Sequence, residues 1–77
     1  MVVLLIRYEH EIGSTKERLS IQKFDNEKDA IVAFVSHVSE MTTIGEIYPD
    51  VAEKLLNNMT LEHHAWYANL EYEIRTV

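Results

Sequence analysis

Three stretches of the chain alternate between apolar and polar side chains, and two others repeat at helical spacing. In residues 2–12, Val2, Leu4, Ile6, Tyr8, His10 and Ile12 share one side of an extended chain. Val3, Leu5, Arg7, Glu9 and Glu11 share the other. A period of two marks a strand with one face on a core, and the even face is the apolar one. Val3 and Leu5 make the first half apolar on both sides, which suits a central strand. Gly13-Ser14-Thr15-Lys16-Glu17 carries turn residues and charges and reads as a hairpin loop. Residues 18–24 read as a second strand with Leu19 and Ile21 inward and Phe24 out of step with them.

Asp25-Asn26-Glu27 then has the chemistry of a helix start. Asp25 or Asn26 can accept a free backbone N–H, and Glu27 and Asp29 suit the positive helix end. Ala30, Ile31, Phe34, Val35, Val38 and Met41 form one apolar stripe, with Val32 opposite it. Thr42-Thr43-Ile44-Gly45 breaks the stripe. Thr43 and Glu46 have capping-box spacing, but a helix begun there would carry Pro49 beyond its first turn. The pattern therefore predicts a loop to Tyr48 and a second helix with Pro49 at its first position. Its inward residues are Tyr48, Val51, Ala52, Leu55, Leu56 and Met59, and Asn57-Asn58 is the expected end.

The last stretch alternates again. His64, Trp66, Ala68, Leu70, Tyr72 and Ile74 share the expected core face. Ala65, Tyr67, Asn69, Glu71, Glu73 and Arg75 share the other. The sequence thus predicts one α+β domain spanning residues 1–77, of order β-β-α-α-β. It has two layers, a three-stranded sheet covered on one face by two helices.

Composition narrows the function classes. A chain of 77 residues buries only ~60% of its unfolded surface, so it depends on good packing, a bound metal or a second subunit. It holds no cysteine, which removes disulfides, thiol catalysis and Cys-type zinc sites and agrees with a cytoplasmic location. Thirteen acids against seven bases give a net charge of −6, the wrong sign for direct nucleic-acid binding. A protein partner with a basic surface fits that field better, including one that itself binds nucleic acid. The apolar run at the start is too short to cross a bilayer, so no membrane role is expected.

Candidate chemistry is sparse. No spaced phosphate-loop, nucleophile-elbow or metalloprotease motif occurs, and no cofactor is implied. His10 and His64 are the metal candidates. They would lie opposite each other if the first and last strands were antiparallel neighbours with Tyr8 against Trp66. His63 and His64 cannot chelate from one strand face, because adjacent side chains point oppositely. On the outer sheet face, Glu9, Glu11, Glu71 and Glu73 would gather with Val3, Leu5 and Tyr67 into an acidic, partly apolar surface. An apolar patch of that kind suits a protein partner or a homodimer. The sequence therefore points to a small, acidic, non-enzymatic protein-binding module, an inhibitor or regulator. A homo-oligomeric structural protein and a His/carboxylate metal protein are the alternatives.

Overall fold

The computed structural model describes residues 1–9, 17–67 and 70–77. Its elements are β1 (Val2–Glu9), β2 (Glu17–Phe24), α1 (Glu27–Thr43), α2 (Pro49–Glu62), β3 (His64–Tyr67) and β4 (Leu70–Thr76). The α+β class follows the sequence reading, but the sheet has four strands where three were expected. The last alternating stretch is a hairpin, β3 and β4, and not one strand. All pairings are antiparallel, and the order across the sheet is β2-β1-β4-β3.

The helices pack on one face. Leu4, Ile6, Leu70, Tyr72, Ile74 and Ala65 supply the sheet's part of the core, with Ala30, Phe34 and Val38 from α1 and Leu55 and Met59 from α2. Phe34 meets Tyr72 edge to face, with ring centroids 4.8 Å apart at 77°.

Local signals placed the helices well. The Asn26 side chain accepts the Asp29 N–H at 2.9 Å and so caps α1, as the sequence implied. Gly45, at φ +82°, takes the chain out of α1, and its N–H donates to the Thr42 carbonyl at 3.1 Å. Thr43 is thus the last residue of α1 and does not cap a second helix. Pro49 opens α2 as expected. Tyr48 is 67% exposed, and the neighbouring Ile47 fills the core position assigned to it. Val35 is likewise partly exposed, at the margin of the α1 stripe.

Helix α2 runs past Asn57-Asn58 to Glu62, because burying Met59 outweighs the weak helix propensity of two Asn. It stops at His63, which adopts the left-handed conformation at φ 57°, a role usually given to Gly or Asn. There the His63 N–H donates to the Met59 carbonyl at 3.1 Å, and its ring Nε2 donates to Glu27 Oε1 at 2.6 Å. The end of α2 is thereby tied to the first turn of α1. The His63 carbonyl accepts from the Ile74 N–H at 2.9 Å and so starts the last hairpin.

Candidate functional site

The outer face of the sheet, opposite the helices, is set by register. Its first row runs Leu19, Arg7, Glu71, Trp66 across β2, β1, β4 and β3. The second runs Ile21, Leu5, Glu73, His64. The third holds Lys23, Val3 and Arg75. Val3 and Leu5 stand where the sequence put them, at the centre, and Val3 is shielded to 8% exposure by its neighbours.

Both edge strands are turned the other way from their expected orientation. In β2, Val2 lies opposite Phe24, which fixes Phe24, Gln22 and Ser20 on the helix side and sends Leu19 and Ile21 outward. They are 54% and 55% exposed. The helices stop short of this edge, and the helix side of β2 gains little from apolar residues. A groove of about 550 Å³ remains there, walled by Ile6, Ser20, Gln22, His37, Met41 and Ile44. In β3, Tyr67 pairs with Leu70 and Ala65 with Tyr72. An odd position thus shares a face with an even one, and parity inverts across the turn. Ala65 goes to the core, while His64 and Trp66 go outward, Trp66 at 65% exposure. Tyr67, expected outside, instead packs against the core. The inward placement of Ala68 falls outside the described residues.

Of the four expected carboxylates, Glu71 and Glu73 have described side chains. Glu71 and Glu73 do lie on the outer face, but each is matched within it. Arg7 Nη1 stands 3.3 Å from Glu71 Oε1, and His64 Nε2 donates to Glu71 Oε2 at 3.0 Å. The Arg75 guanidinium grips Glu73 at 3.0 and 3.1 Å, and this hydrogen bond, with the carboxylate charge, raises the Arg75 pKa further. Glu9 closes β1 opposite Glu17, and Glu11 lies outside the described residues. The excess negative charge sits elsewhere. Residues 25–62 hold eight acids and two lysines, all exposed, and the remaining segments hold five acids and five bases.

Among the described residues the register does not bring the expected metal candidates together. His64 pairs with Glu73 on β3–β4, and Tyr8 faces Leu70 where the His10–His64 site needed Trp66. His10 itself lies outside the described residues. Among the described residues no three His, Asp or Glu side chains converge.

A polar pair, His37 with Tyr72, reaches into the core, and sequence reasoning left it without a role. Nδ1 and Oη lie 2.6 Å apart, and Tyr72 is fully buried. Burial raises the Tyr72 pKa, so the phenol stays protonated within its hydrogen bond to the imidazole. Burial lowers the His37 pKa below its ordinary 6.5, against a smaller opposing effect of Glu40. The unfolded chain therefore takes up a proton near pH 6.5 that the fold resists. Stability contributed by this group is complete above pH 6.5 and is lost as pH falls toward the lower folded value. The urea midpoint should accordingly drop between about pH 7.5 and about pH 5.5, and His37→Gln should flatten that drop. An equally steep drop in the variant would remove His37 as its source.

Among the described residues no helix is long and apolar enough to cross a membrane. The fold and face together define a two-layer α+β protein with an open, apolar-edged sheet. The chain matches no known family model, no curated protein and no solved structure.

Proposed function

We propose that the protein is a non-enzymatic binding module whose outer sheet face is a protein-docking surface. One observation carries this reading: the edge strands expose Leu19, Ile21 and Trp66 on the side away from the helices, while of their large apolar residues only Phe24 and Tyr67 turn to the core. Leu19 and Ile21 adjoin Val3 and Leu5 in one apolar patch across β2 and β1, and Trp66 stands on the far edge beyond Glu71 and Glu73. Isolated exposed apolar residues are ordinary, but a patch of this extent marks an interaction surface. Trp is the residue most often found at energetic centres of interfaces, and Arg7 adds a second favoured type. The acidic helical layer remains free when the sheet face is engaged. It gives the assembly a negative outer surface, suited to an inhibitor or regulator acting on basic partners.

The test is photo-cross-linking in the source cell. A photoreactive residue in place of Ile21 should yield a discrete higher-mass adduct, and the same residue in place of Glu53, on the helical side, should not. The absence of an Ile21 adduct, or equal adducts from both positions, would remove the sheet face as the docking surface.

A further inference from the structure

Resting on that reading, the geometry points to a second copy of this chain as the occupant of the sheet face. The two copies meet face to face about a two-fold axis running parallel to the strands, between β1 and β4.

Charge selects this face for self-association. The helical layer carries the whole excess of six negative charges, whereas the sheet-forming segments balance. Copies meeting through helices would set two acidic layers together. Copies meeting through sheets, about 10 Å apart, hold the helical layers on the far sides, well beyond the ~8–10 Å screening length.

The axis follows from the rows. Rotation about it brings β2 of one copy over β3 of the other. Leu19 then lies over Trp66 of the second copy, and Arg7 lies over its Glu71, each contact occurring twice as two-fold symmetry requires. Arg7 and Glu71 already pair within one chain, so the second copy extends two matched pairs into a four-charge cluster. Aligned packing of twisted sheets, about 30° apart, keeps these central rows in register.

The area is that of a weak, concentration-dependent interface. Four strands about 4.8 Å apart and seven residues about 3.3 Å long give roughly 440 Å² of flat sheet per copy. Two faces make roughly 900 Å², and side-chain relief raises this toward the ~1,200 Å² at which specific interfaces begin.

The absence of cysteine provides a clean test. Ile21→Cys and His64→Cys lie on opposite edges of one sheet, three strand spacings or ~14 Å apart, but face each other between copies. Purified chains of the two variants, mixed at high micromolar concentration with a short bis-maleimide, should give a covalent dimer. Either variant alone should stay monomeric on a denaturing gel. Light scattering of the unmodified protein should report twice the chain mass. A monomer mass overturns the proposal. Dimer mass with linkage as strong in the single-variant samples as in the mixture overturns the arrangement. If the protein is monomeric yet the Ile21 photo-adduct is heavier than two chains, the docking face stands and its occupant is another protein.

Discussion

Replacing Phe34 by Ala should remove about 3–5 kcal/mol of stability, the usual cost of deleting a fully buried aromatic ring. Phe34 has no exposed surface and packs edge-on against Tyr72 beneath the middle of the sheet. A domain of 77 residues holds in total only about 4–12 kcal/mol. The variant should therefore be largely unfolded at 37 °C or close to it. Val35, the next residue, is 42% exposed, and Val35→Ala should cost below about 1 kcal/mol. Urea titrations followed by far-UV circular dichroism compare the two directly. Similar midpoints for both variants would mean that the core is not centred on Phe34.

Trp66→Ala should behave in the opposite way. The side chain is 65% exposed, and the pairing of β3 with β4 does not depend on the indole. The urea midpoint should stay within about 0.5 kcal/mol of the parent value. Association through the sheet face should weaken by about 2 kcal/mol or more, roughly 30-fold in Kd, because Trp is the residue type most often an interface anchor. Sedimentation equilibrium over a concentration series reads this directly. Unchanged association with an unchanged midpoint would leave Trp66 a bystander on the surface.

What the sequence revealed depended on the range of the signal. The cap at Asn26, the α1 stripe and Pro49 at the start of α2 are decided within a few residues, and they were readable. The end of α2 was misplaced because Asn57 and Asn58 speak locally for a stop while Met59, farther on, is claimed by the core. The edge strands were misread for a different reason. Alternation in β2 shows that Leu19 and Ile21 share a face, but it cannot show which face the helices cover. That depends on where β2 sits relative to α1. In the last segment, an apparent run of twelve alternating positions concealed a hairpin, and the described residues of its first strand changed sides. Val3, Leu5, Glu71 and Glu73 were placed correctly because they lie on the two central strands. Leu19, Ile21 and Trp66, the most exposed apolar residues of the face, were missed because they lie at the edges.

The middle of the sheet is built from β1 and β4, strands far apart in the sequence. Val2 pairs with Thr76 and Leu4 with Ile74, and the Val77 N–H donates to the Met1 carbonyl at 2.8 Å. The β1–β2 hairpin and the two helices can begin to form from nearby residues. The β1–β4 ladder cannot close until residues 70–76 have emerged from the ribosome. Closing so long a loop before its contacts form makes such a topology slow to complete for its size. Until then one side of β1 stays open, with Leu4 and Ile6 beside it, and the nascent chain passes through a stage in which its most apolar strand is an edge.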